Sequence, residues 1–191
     1  MEKIRGDPAR QDRDIIYANS LQINMPPSSI ILRPAIEADL DTINRVVEAG
    51  VMTWQLPERV KRLALPGYRY TLVDIEHLDI CVAEDDTRRI IGVAAWETAD
   101  SSDTPTGKTG LLLHGIYVNP AFHRHGIGRR LFKAAEEAVR AHGYDGLLTR
   151  ARQEANDFFM AQEMNPLPVD RPSHQYANRF WKHVKPTPAS G

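Results

Sequence analysis

Residues 116–131 constrain the fold of this chain more than any other stretch of its sequence. They join a run of β-favouring residues, 116–118, to a short turn and then, from Gly126, to apolar residues at helical spacing. Gly143 stands where a C-terminal cap of this helix is expected. The apolar face of the helix consists of Ile127, Leu131, Ala134, Ala135 and Ala138. Because a strand and an amphipathic helix must each bury one face, this stretch predicts a layered α/β domain.

The remaining periodicities predict the element order β-α-α-β-β-β-α-β-α-β. The predicted strands are residues 30–33, 78–83, 90–97, 111–118, 147–151 and 176–184. The other predicted helices are residues 40–47, with Asp39 as the N-cap, 57–65 and 155–162. We therefore expect a mixed, mostly antiparallel twisted sheet flanked by helices. Its domain should span residues 29–185, with an N-terminal arm at 1–28 and a C-terminal tail at 186–191.

Length and composition favour a single globular domain. The chain has 191 residues and a formal net charge of −1, whereas a dedicated nucleic-acid binder carries a basic excess. Cys81 is the only cysteine, so no intrachain disulfide can form and a reducing compartment is expected. The N-terminus lacks an apolar signal segment, and the longest apolar run, 90–96, is too short to cross a bilayer. We expect a cytoplasmic protein without a nucleic-acid or membrane partner.

The turn before the helix has the features of an anion site. The first turn of a helix presents backbone N–H groups without internal acceptors and the positive end of the helix dipole. Gly126 and Gly128 lack the Cβ atoms that would keep a phosphate from these groups. Residues 119–135 contain no acidic residue, and their basic residues are Arg124, Arg129, Arg130 and Lys133. A phosphate-bearing ligand is predicted, although a tight strand-to-helix turn with solvated arginines would also explain the two glycines.

Two familiar phosphate-binding motifs do not fit this turn. A Walker A loop needs Gly-Lys-Ser/Thr after its second glycine, and a dinucleotide-binding fingerprint needs a third glycine where Leu131 stands. The turn instead resembles the acyl-CoA signature of the GCN5-related N-acetyltransferases, the GNAT family. That signature, Arg/Gln-x-x-Gly-x-Gly/Ala behind a strand ending in Val-x-Pro, is similar to residues 116–128.

The resemblance extends to other segments of the chain. Residues 32–43 are similar to the family's first strand and helix, and Ala155 with Phe158 and Phe159 resembles its Ala-x-x-Phe-Tyr helix. In all it covers residues 30–184. It implies the GNAT-like acyl-CoA N-acyltransferase fold, acetyl-CoA as cosubstrate, a primary amine that attacks the thioester in a ternary complex, and no metal.

The resemblance also implies where acetyl-CoA lies. Backbone amides of residues 124–129 would hold the pyrophosphate, residues 116–118 would pair with the pantetheine, and the thiol end would pass residues 155–159. The strand is implied to splay after Val118, so that the amide of Ile116 or Val118 holds the acyl oxygen. The residues implied to contact acetyl-CoA are Ile116, Tyr117, Val118, His123, Arg124, His125, Gly126, Ile127, Gly128, Arg129, Phe158 and Phe159.

An attacking alkylammonium must first lose a proton to a base. His114 is the first candidate, since strand alternation places it on the same face as Ile116 and Val118 and histidine titrates near neutral pH. Glu97, at the end of the neighbouring strand, is the second candidate. Both could instead be ordinary polar side chains at a strand end.

Departures from the family pattern leave alternatives open. His123 stands at the Arg/Gln position, Glu163 replaces a common glycine, and Phe159 stands where many members have the tyrosine that protonates the leaving thiolate. A phenyl ring cannot donate a proton, so either another donor acts or the chain is a catalytically weak acyl-CoA-binding regulator. His114, His123 and His125 lack acidic or thiolate partners at ligand spacing, so no metal is expected. The acceptor stays open, as does a homodimer.

Overall fold

The computed structural model describes residues 29–169 and 178–185. Its seven strands form one sheet in the order β1-β2-β3-β4-β5-β7-β6. The strands are β1 (Ile31–Pro34), β2 (Asp79–Glu84), β3 (Ile90–Thr98), β4 (Gly110–Val118), β5 (Gly146–Arg150), β6 (Asn165–Pro166) and β7 (Arg179–His183). The helices are α1 (Leu40–Met52), α2 (Glu58–Ala64), α3 (Leu72–His77), α4 (Ile127–Ala141) and α5 (Asn156–Ala161). Neighbouring strands are antiparallel except β4 and β5, which confirms the predicted mixed sheet with flanking helices.

Two elements differ from those predicted. Helix α3 is additional, and it begins with a capping box in which Thr71 Oγ1 accepts the N–H of Asp74 while the Asp74 carboxylate accepts the N–H of Thr71. The two-residue strand β6 lies in the segment predicted to be loop. Of the residues predicted to form the last strand, 176–177 lie outside the described part, as do the arm at 1–28 and the tail at 186–191. Within the described ranges, no helix is long and apolar enough to cross a membrane.

The two faces of the sheet bury separate cores. Alternation along β3 sends Ala94 to the face covered by α4, where Leu131 and Phe132 pack, and sends Val93 and Ala95 to the face covered by α1. Because both faces of β3 are covered, the strand has a continuous apolar sequence instead of an alternating one. The two faces are called the α4 face and the α1 face below.

Strand β4 contains a bulge at His114. Ala95 pairs with Gly115 and Trp96 pairs with Leu113, so His114 is an extra residue opposite β3. Leu113 lies on the α4 face before the bulge, and Ile116 lies on the same face after it. The bulge therefore reverses the alternation of side chains along β4.

Glycines with a left-handed backbone conformation flank α4 at both ends. Gly126 precedes the helix with φ 76°, and Gly143 follows it with φ 69°. The N–H of Gly143 donates to the Arg140 carbonyl and the N–H of Tyr144 to the Val139 carbonyl, which is a Schellman motif. The predicted glycine cap is confirmed. A Cβ at either glycine would meet no atom within 4 Å, so backbone conformation and not space selects glycine here.

Asp39 stands directly before α1, as predicted, but its side chain does not cap that helix. Its carboxylate accepts the Ile36 N–H at 2.9 Å and two bonds from the Arg33 guanidinium at 2.6 and 3.0 Å. Arg33 also donates to Glu84 Oε1 of β2 at 2.6 and 2.9 Å. Hydrogen bonds from Arg33 hold the pKa of Asp39 below its ordinary value, and the cluster joins β1 and β2 to the start of α1.

Candidate functional site

The turn between β4 and α4 presents a continuous row of free donors. Among the described residues, the backbone N–H groups of 124–129 find no hydrogen-bond acceptor, and helix bonding starts with the Arg130 N–H on the Gly126 carbonyl at 3.1 Å. Arg124 and Gly126 both take left-handed conformations, with φ 66° and 76°. The exposed side chains of Arg124 and Arg129 also have no partner among the described residues. This arrangement can hold a multiply charged anion.

The side chains around this turn have different roles. Ile127 is buried in the core, so only its backbone can contact a ligand. The Nδ1 atom of His125 is buried and has no hydrogen-bond partner within the described ranges. His123 turns away from the row of donors, since its Nε2 lies 3.0 Å from the Val118 carbonyl. Because a carbonyl only accepts, this nitrogen of His123 carries the proton.

One of the two phenylalanines of α5 packs against the first turn of α4. A Cβ at Gly128 would lie 3.2 Å from Cε2 of Phe158, so the second glycine permits close packing against that ring. Phe159 is 5% exposed and packs in the core against Phe132 and Phe180. The structure therefore brings Phe158, and not the side chain of Phe159, to the turn.

One edge of β4 is open next to the turn. Strand β5 pairs with β4 only through residues 110–113, and Thr149 Oγ1 donates to the Leu113 carbonyl at 3.0 Å where the two strands separate. The splay thus begins after Leu113, earlier than the position after Val118 that the resemblance implied. A bulge bends the strand that contains it, and the bulge at His114 directly follows the last residue of β4 that pairs with β5.

The open edge presents backbone polar groups. The N–H of Asn119 donates to the Ile91 carbonyl of β3 at 2.9 Å. Alternation along an antiparallel pair then directs the N–H of Tyr117 toward β3 and the N–H groups of Ile116 and Val118 toward the gap. An extended ligand with amide groups could pair with this edge as an additional strand would.

His114 and Glu97 form a hydrogen-bonded pair beside the open edge. His114 Nε2 lies 2.8 Å from Glu97 Oε1, and both side chains are partly exposed. Glu97 is opposite Leu112 and shares the α1 face with Ala95. The alternation argument that placed His114 on the face of Ile116 is wrong, because the bulge lies between these two residues. The structure nevertheless joins the two residues that the sequence offered as separate candidates for the base.

Aromatic side chains and one arginine line the α1 face of the gap. Trp54, after α1, meets Tyr68 edge to face with ring centroids 4.9 Å apart. The Arg152 guanidinium, after β5, lies over the Trp54 ring at 4.6 Å. Tyr117 lies over Gly115 beside the bulge, and burial raises the pKa of its hydroxyl. The sequence resemblance named Tyr117 as a contact of acetyl-CoA and did not identify Arg152 at this site.

In the described part of the chain, no group of three or more His, Cys, Asp and Glu side chains could hold a metal ion. His123 bonds a backbone carbonyl, and His114 bonds a carboxylate. The three histidines considered as ligands in the sequence therefore do not form a cluster.

Comparisons with known proteins agree with this architecture. Residues 76–162 match the family model of the acetyltransferase (GNAT) domain. The PaiA N-acetyltransferase of Thermoplasma acidophilum, solved in complex with coenzyme A, is 16% identical with a TM-score of 0.65, over 81% of this chain and 99% of that chain. A GNAT-family acetyltransferase of Brucella melitensis, solved in complex with acetyl-CoA, is 17% identical with a TM-score of 0.55, over 83% and 90% of the two chains.

A further solved structure, from Desulfovibrio desulfuricans, is described as a GNAT-family acetyltransferase. It is 19% identical with a TM-score of 0.59, over 82% of this chain and 100% of that chain. A comparison with curated proteins gave no significant match. Residues 76–162 thus carry a GNAT acetyltransferase domain, and the described residues have the GNAT fold, as the sequence resemblance predicted.

Proposed function

We propose that this protein is an N-acetyltransferase that transfers the acetyl group of acetyl-CoA to a primary amine by direct attack in a ternary complex. The observation that carries the proposal is the row of free N–H groups at residues 124–129. This row follows the open edge of β4, residues 114–118, after one short connection. Two proteins of the same fold, solved with coenzyme A and acetyl-CoA, support this choice of ligand.

The row of donors suits the pyrophosphate of acetyl-CoA. Unpaired backbone N–H groups and the N-terminal end of the α4 dipole attract a diphosphate, and Arg124 and Arg129 add positive charge. From there the pantetheine extends along β4, where its amides pair with the backbone of Ile116 and Val118. His123 competes with the pantetheine for the Val118 carbonyl and must release it.

The two reactants reach the open edge from opposite faces of the sheet. The pyrophosphate turn belongs to the α4 face, whereas the His114–Glu97 pair lies on the α1 face. The gap between β4 and β5 connects the faces, so an amine on the α1 face can meet a thioester held in the gap. Direct attack requires the amine and the thioester to lie close together. It involves no covalent intermediate with the enzyme.

His114 is the base in this proposal, and Glu97 positions it. When the Nε2–H of neutral His114 donates to Glu97, the lone pair of Nδ1 is free to accept a proton from the ammonium. The Ile116 N–H faces the gap and would donate to the carbonyl oxygen as negative charge develops there. The amine attacks the carbonyl carbon, the C–S bond breaks, the CoA thiolate leaves, and the nitrogen gives its second proton to water as the amide forms.

The leaving thiolate receives no proton from Phe159, which stands at the position of the family's tyrosine. Phe159 has no donor and is packed in the core. A thiol has an ordinary pKa of about 8.5, so its thiolate is a weak base and can take a proton from water after it leaves. This makes a catalytically weak acyl-CoA-binding regulator the second candidate function, which Phe159 favours.

A pair of matched glycine variants tests the binding site. Gly126→Ala and Gly143→Ala place the same methyl group at left-handed positions on the two ends of α4, both next to open space. We expect equal losses of stability, since the backbone strain is equal. Calorimetric titration should show weaker acetyl-CoA binding only for Gly126→Ala, and equal affinities would contradict the site.

Turnover separates the two candidate functions. Release of CoA from acetyl-CoA in the presence of a panel of primary amines supports the acetyltransferase. Acetyl-CoA binding without CoA release from any amine supports the regulator instead. Absence of acetyl-CoA binding would contradict both.

A further inference from the structure

We propose that Arg152 binds a carboxylate on the acceptor, so that the protein acetylates amines that carry a carboxylate, such as amino acids. This inference rests on the proposed acetyltransferase function and names the class of its acceptor.

Arg152 lies on the acceptor side of the gap. It follows β5 by two residues, beyond the point where β5 separates from β4 at Thr149. Its guanidinium nevertheless lies 4.6 Å from the centre of the Trp54 ring, which follows α1 and packs with the core of the α1 face. The Arg152 side chain therefore reaches from β5 toward the same face on which the His114–Glu97 pair lies.

Arg152 keeps unused donors in this position. A guanidinium has five N–H groups, and among the described residues only Glu154 accepts from it, at 3.2 Å from Nη2. The Nε atom is buried and has no hydrogen-bond partner there. A buried donor without a partner destabilises a protein unless a ligand or water satisfies it. Trp54 covers one face of the guanidinium and leaves its edges available for hydrogen bonds.

The chemistry of these donors favours a carboxylate. The edge of a guanidinium matches the two oxygens of a carboxylate, and a stacked aromatic ring fixes its orientation. Glu154 beside Arg152 disfavours a doubly charged phosphate, since it already partly neutralises the cation. On the same face, the Glu97 carboxylate can attract the ammonium group of the same acceptor. An amine with a carboxylate is thus complementary in charge to both Arg152 and Glu97.

Pairs of amines that differ only in the carboxylate test this inference. Phenylalanine with phenethylamine, tyrosine with tyramine, and histidine with histamine are suitable pairs. We expect the wild-type protein to show at least tenfold higher kcat/KM for a carboxylate-bearing amine, which corresponds to about 1.4 kcal/mol. Arg152→Gln should remove this preference and leave acetyl-CoA affinity unchanged. Glu154→Gln, on the same segment, should retain the preference.

A binding measurement gives the same test without turnover. In the presence of CoA, N-acetylphenylalanine should bind at least tenfold more tightly than N-acetylphenethylamine, and the Arg152 Nε–H resonance should shift only with the former. Equal binding and equal kcat/KM within the pairs, in a protein that binds acetyl-CoA, would overturn the role of Arg152 and leave the acetyltransferase intact. If acetyl-CoA itself does not bind, the proposed function fails and this inference fails with it.

Discussion

The Nε2 atom of His114 lies 2.8 Å from the Oε1 atom of Glu97, across the bulge that reverses side-chain alternation in β4. The bulge places His114 on the α1 face, whereas Ile116, two residues later, belongs to the α4 face. The side chain proposed as the base and the side chain of Ile116, whose N–H belongs to the open edge, thus lie on opposite faces of one strand. Regular alternation would have placed both side chains on the same face.

This pair predicts unequal effects of two substitutions. His114→Ala should lower kcat by about 10² to 10⁴, since it removes the proposed general base, and should leave acetyl-CoA affinity unchanged. Glu97→Gln should lower kcat by about tenfold, because it weakens the orientation of the imidazole without removing it. Steady-state kinetics with any accepted amine measures both effects. Full turnover in both variants would show that the base lies elsewhere.

Replacing Arg124, in the turn before α4, with glycine should stabilise the fold. A non-glycine residue at φ 66° is strained, so Arg124→Gly should raise the free energy of unfolding by about 1 kcal/mol. It should also weaken acetyl-CoA binding, because an unpaired cation leaves the anion site. Chemical denaturation and calorimetry measure the two effects. Arg129→Gly is the control, since a glycine within the first turn of α4 should destabilise the fold by about 0.5 to 1 kcal/mol.

A substitution at Glu163, away from the turn before α4, should relieve the same kind of backbone strain. It follows α5 with φ 63°, and the N–H groups of Glu163 and Met164 donate back to the Met160 and Phe159 carbonyls. This is the position at which helices favour glycine. Glu163→Gly should raise the free energy of unfolding by about 1 kcal/mol, since the side chain is 87% exposed and its contact with Lys182 is long, at 3.5 Å. A loss of stability would mean that this contact outweighs the strain.

The ion pairs of Arg33 should stabilise the fold at neutral pH and lose part of this effect in acid. The pKa of Asp39 is lowered from 3.8 by hydrogen bonds from Arg33, so its contribution is present above pH 3.8 and is lost as the pH falls further. Arg33→Met should destabilise the protein by about 3 kcal/mol at pH 7, because it leaves two buried carboxylates unpaired. It should also reduce the difference in unfolding free energy between pH 7 and pH 3. An unchanged difference would contradict the role of Arg33.

Local patterns in the sequence were sufficient to predict most of the fold and the turn that precedes α4. Helix α4 and its flanking glycines follow from apolar spacing and from the conformational freedom of glycine, which depend only on neighbouring residues. Helix α3 was missed although Thr71 and Asp74 form a capping box that the sequence displays. A search for apolar residues that recur at helical spacing over several turns does not detect a helix of six residues.

The acceptor side of the gap could not be predicted in the same way. A bulge depends on the register between two strands, so the displacement of His114 cannot be read from alternation within β4 alone. The contact of Arg152 with Trp54 joins residues almost one hundred positions apart and has no local signal. These contacts arise only when the sheet and both of its faces are assembled.

The proposed acetyl-CoA site is tested most directly by titrating acetyl-CoA into the ¹⁵N-labelled protein and following its backbone amide resonances. We predict that the amides of residues 124–129 shift together and most strongly, with Ile116 and Val118 of the open edge shifting at the same ligand concentrations. Saturable binding that leaves these amides unmoved, or no binding at all, would contradict the account.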